Sequence, residues 1–283
     1  MAQLILYGVI YGGIISLGAI GVTLIARILR FSHFAHGDMM ALGAYFALFF
    51  RVTMGLPMWV SAVLAVIFTA GTAVLIDRLF YRPLRRTSPA ILLIASVGVA
   101  LVLRHLIQFF WGAAVQVYQQ GVERPYIIWG LRIRPVQVWI LVMALVLVVG
   151  VWLFLQKTRI GKAMRAMADN MDLAAVSGID TERMIVWTWV LGAALAAAAG
   201  VMLGLDTQLR PGMGWFMLLP VFAAAILGGL GNPYGAIAGG MIIGLSQELS
   251  TLVFNTAYKP AVSFVLMVLL LLLRPQGLFG GKA

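Results

Sequence analysis

The sequence predicts an all-α fold, a polytopic transmembrane helical bundle, on three observations. Of the 283 residues, 63% are hydrophobic and 10% are charged, and the mean hydropathy is +1.02. The apolar runs approach the roughly 20 residues with which a helix crosses a ~30 Å bilayer core. None of the runs alternates polar and apolar residues as the strands of a membrane barrel do, so helices must satisfy the backbone groups in lipid.

The apolar runs predict about nine spans, which include broken or short helices. In chain order they cover residues 4–26, 38–50, 57–77, 90–112, 136–156, 184–206, 215–230, 236–256 and 260–273. The short second span has an alternative interpretation as half of a broken, partly re-entrant segment. We expect a single transmembrane domain over residues 1–283, with long loops at 113–135 and 157–183.

Basic residues predict the orientation of the chain. Lys and Arg cluster after the third, fifth and ninth spans, and the clusters share one side of the membrane if the spans alternate. They are Arg78, Arg82, Arg85 and Arg86; Lys157, Arg159, Lys162 and Arg165; and Arg274 and Lys282. Because cytoplasmic loops carry the excess of Lys and Arg, we expect a cytoplasmic C-terminus and a periplasmic N-terminus. The formal net charge of +11 is therefore a topology signal rather than a nucleic-acid surface.

The chain has no pattern typical of an enzyme or a metalloprotein. The absence of cysteine excludes disulfides, thiolate metal sites and cysteine nucleophiles. The sequence contains no G-x-x-x-x-G-K-[ST] loop, no H-E-x-x-H helix and no G-x-S-x-G elbow, and its three histidines lack metal-site neighbours. We expect no enzyme activity, no bound cofactor and no metal, so active transport would draw its energy from a partner or an ion gradient.

The loop at 113–135 contains two short β-prone pieces, YIIW and LRIR, on either side of Gly130. This pattern predicts a small hairpin or an irregular cap. Two functional interpretations stay open: a simple linker, or a docking surface for an extracytoplasmic partner.

Small residues predict close helix packing. Glycines lie four residues apart in the pairs Gly8/Gly12, Gly200/Gly204, Gly235/Gly239 and Gly240/Gly244. Such pairs let backbones approach where no hydrophobic effect drives helices together. We interpret them as packing seams rather than as a binding site.

The most polar stretch is KTRIGKAMRAMADNMDLAAVSGIDTER at 157–183, with five basic and four acidic residues. It must lie outside the lipid, because each charge at the bilayer centre costs about 2.5–3.5 kcal/mol on insertion scales. The pattern predicts two short helices around the turn DNMD, with Asp172 capping the second and Gly178 ending it in a left-handed conformation. Spacing alone leaves two interpretations: a piece that fits another protein's groove, or a solvated amphipathic loop.

Three segments resemble the ABC-transporter permeases of the branched-chain amino acid uptake family. TRIGKAMRAMADNMDLAAVSGID is similar to that family's coupling-loop motif, GVTLIARILRFSHFAHGDMMALGAY to its first broken helix pair, and AAILGGLGNPYGAIAGGMIIGL to its C-terminal glycine-rich pair. More narrowly, the chain resembles the shorter, first member of the two unlike permeases in such a system. The resemblance implies a type II importer-like permease fold in the bacterial cell inner (cytoplasmic) membrane.

The resemblance also implies partners and a coupling role for the polar loop, whose helix would insert into an ATPase subunit. The residues that carry this role are Gly161, Arg165, Asp169, Asn170, Asp172, Ala174, Ala175 and Gly178. The implied partners are a second homologous permease, two cytoplasmic ATPase subunits that hold ATP and magnesium, an extracytoplasmic solute-binding protein and the lipid bilayer, with no nucleic acid.

Two glycine-interrupted segments, 31–38 and 228–235, lie toward opposite ends of the chain. Interrupted helices in matching halves of a transporter are the best sequence indicator of its pathway. We therefore predict pathway positions at His33, His36, Gly37, Asp38 and Asn232. The alternative is that Asp38 caps the second helix while both histidines make structural hydrogen bonds.

Two charges lie inside predicted spans, Arg104 in the fourth and Glu248 in the eighth. Because intramembrane charges are expensive unless paired or wetted, we predict that these two form an ion pair or face a common aqueous cavity.

The predicted function is that of a permease subunit of an ATP-driven ABC importer, which moves branched-chain or other amino acids through an interface with a second permease. Members of the family that this chain resembles also carry urea and short amides, so these solutes remain an alternative. A rival is an ion-coupled secondary transporter with Asp38, Glu248 and the histidines as the relay. A second rival is a non-transporting assembly or receptor subunit.

Overall fold

The computed structural model describes residues 1–118, 124–128 and 130–279. Its helices are α1 (Ala2–Leu29), α2 (His36–Leu48), α3 (Met58–Ile76), α4 (Arg82–Leu84), α5 (Pro89–Trp111), α6 (Pro135–Lys157), α7 (Arg159–Asp169), α8 (Met171–Val176), α9 (Thr181–Asp206), α10 (Met213–Gly228), α11 (Pro233–Ser250) and α12 (Lys259–Leu273). Single π-helical turns follow α2 (Phe49–Thr53) and α3 (Asp77–Tyr81), and a 3-10 turn (Thr256–Tyr258) precedes α12. The prediction of a helical fold is confirmed.

Six helices in the described residues are long and apolar enough to cross a membrane: Ala2–Leu29, Met58–Leu84, Pro89–Trp111, Pro135–Lys157, Thr181–Asp206 and Thr256–Leu273. The predicted second and seventh spans correspond to shorter helices, α2 of 13 residues and α10 of 16, and the predicted eighth span corresponds to α11 of 18 residues, which is not among these six. The count of nine spans therefore stays a prediction.

The centre of the bundle is formed by α1 and α9, which are buried along most of their length. Trp189 of α9 and Ile14 of α1 are fully buried. In contrast, α6 and α12 present large apolar side chains outward, such as Trp139 and Leu272. Apolar side chains facing outward on peripheral helices are what a lipid environment selects.

Glycine seams hold the central helices together, as predicted. A Cβ atom at Gly244 of α11 would overlap the backbone of Gly12 in α1, and one at Gly235 would overlap the carbonyl of Gly228 in α10. Ser16 fixes the first seam further, because its hydroxyl donates to the carbonyl oxygens of Gly12 at 2.7 Å and Ile237 at 3.1 Å.

The first interrupted helix pair lies beside this seam. The chain leaves α1 at Arg30, whose φ of 56° is left-handed, and is not helical again until His36. The backbones of Gly37 and Gly214 touch so closely that a Cβ atom on either would overlap the other's carbonyl group. This contact fixes the start of α2 against the start of α10.

A two-stranded hairpin lies at one end of the bundle, the hairpin end. Strands β1 (Tyr126–Ile128) and β2 (Leu131–Ile133) pair antiparallel, which confirms the predicted hairpin. Residues 119–123 and 129 of that loop, and Lys282, lie outside the described residues. The Gln3 side chain bonds both the N–H and the carbonyl of Arg132, so the start of α1 also lies at the hairpin end.

Tyr118 anchors the described start of the same loop. Its hydroxyl donates to the carbonyl oxygen of Ala44 at 2.9 Å. Burial raises the pKa of this hydroxyl well above its usual range, so the donor proton is retained.

Helices α7 and α8 form a bent segment at the opposite end of α1, the elbow end. Arg27, near the end of α1, bonds Asp169 at the end of α7 at 2.8 Å. Because α1 has 28 residues, it separates the two ends by about 40 Å, the length of a membrane-spanning helix.

Candidate functional site

We call residues 157–183 the elbow. Side-chain caps begin both of its helices. The Thr158 hydroxyl accepts from the Gly161 N–H at 2.9 Å at the start of α7, and the Asn170 side chain accepts from the Leu173 N–H at 2.9 Å at the start of α8. Gly178 follows α8 with φ +86°, so the predicted left-handed stop is confirmed.

The predicted cap of α8 by Asp172 is wrong. Asn170 holds the extended backbone that a cap requires, with φ −151° and ψ 108°, whereas Asp172 is already inside α8. The helix begins earlier than the sequence pattern indicated, so the amide rather than the carboxylate meets the free backbone N–H group.

The predicted coupling residues divide between the elbow's inner and outer faces. Gly161 and Ala174 are buried, and Gly161 lies against the backbone of Leu155 in α6. Asp172, Ala175 and Gly178 are exposed. The first group therefore fixes the elbow to the bundle, and the second belongs to its free surface.

Two large apolar side chains extend that free surface, Leu173 with 63% and Val176 with 86% of their surface exposed. Both lie on α8, three residues apart, and therefore share one face of the helix. This pair was not predicted, although its spacing was visible in the sequence.

The elbow is tied to the bundle by Arg27 and Arg165. The Arg27 guanidinium donates to Asp169 at 2.8 Å and to the carbonyl of Gly231 at 2.9 Å. Arg165 donates to the Gln156 side chain at 2.9 Å. Asp169 is 71% exposed, so its ion pair contributes only about 0–1 kcal/mol to stability.

A second ion network joins the start of α9, directly after the elbow, to the end of α3. Arg85 donates to Glu182 at 2.9 Å and to Asp77 at 2.5 Å, and Arg82 lies 3.3 Å from Glu182. The Asp77 side chain is 2% exposed and that of Arg85 is 16% exposed. This network was missed, although an acidic residue at the end of a predicted span beside an arginine cluster was an available signal.

An aromatic cluster lies one helical turn from Asp77. Tyr81 stacks on Trp189 of α9 with ring centroids 5.1 Å apart and planes inclined by 7°. The Nε2 atom of His33 lies 3.0 Å from the Tyr81 hydroxyl oxygen, and its ring meets Trp189 edge-on at 4.9 Å. His33 therefore makes the structural hydrogen bond that was the alternative to its predicted pathway position.

His36 lies beside this cluster, 6.1 Å from His33 between ring centroids. Its ring packs against Gly21 of α1, it is fully buried, and neither ring nitrogen has a hydrogen-bond partner of good geometry among the described residues. Its predicted place in a pathway stays a prediction.

Asp38 and Arg104 form an ion pair that was not predicted from the sequence. Both carboxylate oxygens of Asp38 accept from the Arg104 guanidinium, each at 3.0 Å, a bidentate geometry that only arginine provides. The guanidinium also lies over the Trp215 ring, 4.9 Å from its centroid. Asp38 makes no side-chain cap of α2.

The predicted ion pair between Arg104 and Glu248 is wrong. Glu248 pairs with Lys259 at 2.6 Å, where α11 turns into α12, while Arg104 on α5 faces α2. The physical premise holds, since each intramembrane charge has a partner, but the partner comes from the helix that packs beside it.

Asn232 caps α11, because its side-chain oxygen accepts from the N–H groups of Tyr234 at 3.0 Å and Gly235 at 3.2 Å. It also donates to the carbonyl of Phe279 at 3.0 Å. Asn232 lines a cavity at the elbow end that Phe31 and Ser32 also line, whereas His33, His36 and Asp38 are buried. The structure thus separates Asn232 from His33, His36 and Asp38, which lie together near the start of α2.

Within the described part of the chain, no group of three or more His, Cys, Asp or Glu side chains is placed to hold a metal ion. The polar contacts described above are helix caps, ion pairs and tethers. These contacts fix the positions of the helices relative to one another.

Comparison with known proteins identifies the family. The family model described as "Branched-chain amino acid transport system / permease component" matches residues 4–271. The chain belongs to this family.

Two curated permeases of the family are similar over nearly their whole length. The high-affinity branched-chain amino acid transport system permease protein BraD of Pseudomonas aeruginosa is 33% identical over 293 residues, which cover 98% of this chain and 95% of BraD. The corresponding permease protein LivH of Escherichia coli K12 is 32% identical over 289 residues, with 96% and 93% covered.

A solved structure supports the family's helical architecture. PsaBC from Streptococcus pneumoniae in complex with Fab matches with a TM-score of 0.55 and 12% identity, over 97% of this chain and 92% of that chain. At this identity the likeness concerns the fold alone. Together with the apolar helices, family membership makes this chain a multi-pass membrane permease.

Proposed function

We propose that this chain is the permease subunit of an ATP-driven importer that moves branched-chain amino acids across the bacterial inner membrane. It works with a second permease, two cytoplasmic ATPase subunits and an extracytoplasmic solute-binding protein, and the solute passes between the two permeases. The chain crosses the membrane about nine times in a type II importer-like arrangement, with the elbow end and the C-terminus in the cytoplasm.

The observation that carries this proposal is the free face of the elbow in a chain of this family. Leu173 and Val176 are exposed on α8, while caps and tethers hold the rest of the elbow in place. A short helix with exposed apolar anchors suits a groove in a partner protein. Because the buried face of the elbow is attached to the bundle, a displacement of α8 would be transmitted to the membrane helices.

Two routes carry such a push into the membrane. One runs from Asp169 through Arg27 to α1, and the other from Glu182 through Arg85 to Asp77. The second route ends one turn from Tyr81, which contacts His33 in the interrupted segment. Closure of the ATPases would thereby shift the segment between α1 and α2.

The partnership is tested by the double substitution L173D/V176D on the elbow. Because both side chains are exposed, the chain is expected to stay folded, while the ATPase subunits are lost from the affinity-purified complex. Ile127→Asp is the matched control, since Ile127 is 72% exposed but lies at the hairpin end. Equal recovery of the ATPases with both variants would contradict the proposed coupling role.

The solute and the energy source are tested by uptake into proteoliposomes. The complete complex, with its binding protein and ATP supplied on their respective sides of the membrane, is expected to accumulate leucine, isoleucine or valine. Uptake of urea or a short amide instead would assign the chain to the alternative solutes. Accumulation driven by a proton or sodium gradient through the isolated chain would favour the secondary-transporter rival, although Asp38 and Glu248 are both paired with cations.

The second route predicts a specific defect for Glu182→Gln. The Glu182 side chain is 55% exposed, so loss of its surface ion pairs is expected to cost less than about 1 kcal/mol of stability. We expect an unchanged thermal midpoint but a several-fold fall in leucine imported per ATP hydrolysed. Arg86→Gln, an exposed charge change beside Arg85, is the control. An unchanged transport ratio in E182Q would exclude this route.

A further inference from the structure

A cavity of about 1140 Å³ opens at the elbow end. Its walls come from the end of α1, the start of α5, helix α7 and the loop between α10 and α11. The apolar part of the wall includes Ala26, Phe31, Pro89, Ala90, Leu93 and Leu230. The cavity therefore lies at the depth where two membrane helices reach their polar ends.

The lining of this cavity is strongly basic. Four cations line it, Arg27, Arg30, Lys162 and Arg165, against one carboxylate, Asp169. Arg27 forms an ion pair with Asp169. The other three cations form no ion pair with any carboxylate of the described residues. A concave site with low-dielectric walls concentrates such a potential and attracts an anion.

Two of the unpaired cations show unusual local features. Arg30 has φ 56° and is the one non-glycine residue with positive φ in the described chain. This left-handed conformation, in which Arg30 ends α1 with its N–H bonded to the carbonyl of Ala26, is strained for an arginine, whereas a glycine would adopt it freely. The Nε atom of Arg165 is buried without a hydrogen-bond partner among the described residues.

We propose that this cavity binds an anionic phospholipid of the cytoplasmic leaflet, with its phosphate against Arg30, Lys162 and Arg165 and an acyl chain along Ala90 and Leu93. A lining that combines basic and apolar side chains matches both halves of such a lipid, and basic pockets between membrane helices on the cytoplasmic side are known headgroup sites. The inference rests on the proposed orientation, and goes beyond the transport function.

The bound lipid would bridge the elbow and the bundle. Lys162 and Arg165 belong to α7, Arg30 follows α1, and Leu230 precedes α11. One headgroup would therefore contact the elbow and the end of α1 together, and the importer would depend on anionic lipid for coupling.

The experiment measures lipid retention on the detergent-purified complex by native mass spectrometry. The complex is delipidated, and phosphatidylglycerol or phosphatidylcholine is added back. Wild type is expected to retain one phosphatidylglycerol in preference to phosphatidylcholine. R30Q/K162Q is expected to lose affinity for it at least about tenfold, because each basic residue near an anionic headgroup contributes to binding.

The matched control is R78Q/R86Q, which removes two exposed charges at the same end of the bundle, outside the cavity. It is expected to retain the lipid as wild type does. Equal losses in both double variants would show general surface attraction and overturn the site. Equal retention of both lipids, or displacement by millimolar inorganic phosphate, would overturn it in favour of an apolar groove or a free-anion site.

A third outcome separates a protein ligand from a lipid. If R30Q/K162Q keeps its phosphatidylglycerol but loses the ATPase subunits, the basic lining of the cavity contacts an acidic segment of a partner and the lipid proposal fails. Lipid retention needs no solute and no ATP. Failure of the lipid proposal is therefore distinguishable from failure of the transport proposal.

Discussion

Replacing Arg104 by alanine is expected to destabilise the chain by about 3–5 kcal/mol, the cost of removing one partner from a buried ion pair. The reason is the carboxylate left behind: the Asp38 side chain is 1% exposed, and Arg104 supplies both of its hydrogen bonds. The thermal midpoint of the purified complex and the yield of folded chain both measure the effect. We expect little folded R104A protein and no measurable uptake.

A double variant isolates the charge from the packing. D38N/R104Q removes both charges at once and leaves two neutral amides that can hydrogen-bond, so it is expected to be more stable than R104A. The stability of Arg104→Lys should lie between those of R104A and D38N/R104Q, because lysine keeps the charge but loses the bidentate geometry and the stacking on Trp215. If the thermal midpoint of R104A were no lower than that of the double variant, the ion pair would not stabilise the fold as the structure indicates.

The fold followed from the sequence where local rules decide. Span length, the β-prone pieces around Gly130 and glycine spacing depend on residues close in the chain, and they indicated the helices, the hairpin and the close packing at Gly12 and Gly244. The short helices were harder, because α2 and α10 begin at the contact between Gly37 and Gly214, which no local pattern contains.

The ion pairs could not be assigned in the same way. Asp38 and Arg104 are 66 positions apart, and Arg85 and Glu182 are 97 apart. The rule that intramembrane charges need partners applies to every candidate equally. For Asp38 and Arg85 the lateral order of the helices decides which partner is reached, whereas Lys259 reaches Glu248 across the short connection between α11 and α12.

The elbow contains both confirmed and wrong predictions within a few residues. The resemblance identified the segment, and the left-handed Gly178 was a local property. The cap was missed by two positions because Asn170 and Asp172 both lie in the turn DNMD and both side chains are good caps. The three-residue spacing of Leu173 and Val176 was visible in the sequence, but the outward direction of both side chains depends on how α8 packs against the bundle.

The glycine seam between α1 and α11 predicts a large effect of a single added side chain. A Cβ atom at Gly244 would overlap backbone atoms of Gly12 and Gly8, which no rotamer change can relieve. Gly244→Leu must therefore separate two helices that pack along their length, at a cost of about 3 kcal/mol or more. We expect the variant to be absent from the monodisperse peak in size-exclusion chromatography and to be degraded in cells.

Glycines on open surfaces provide the control. A Cβ atom added at Gly71 of α3 or Gly150 of α6 would meet no neighbouring atom within 4 Å, and neither glycine has a positive φ, so Gly71→Ala and Gly150→Ala should fold normally. Alanine's higher helix propensity should even raise the thermal midpoint slightly. Loss of folded protein in all three variants would mean that general helix substitutions are not tolerated, whereas normal folding of G244L would show that α1 and α11 do not meet at this seam.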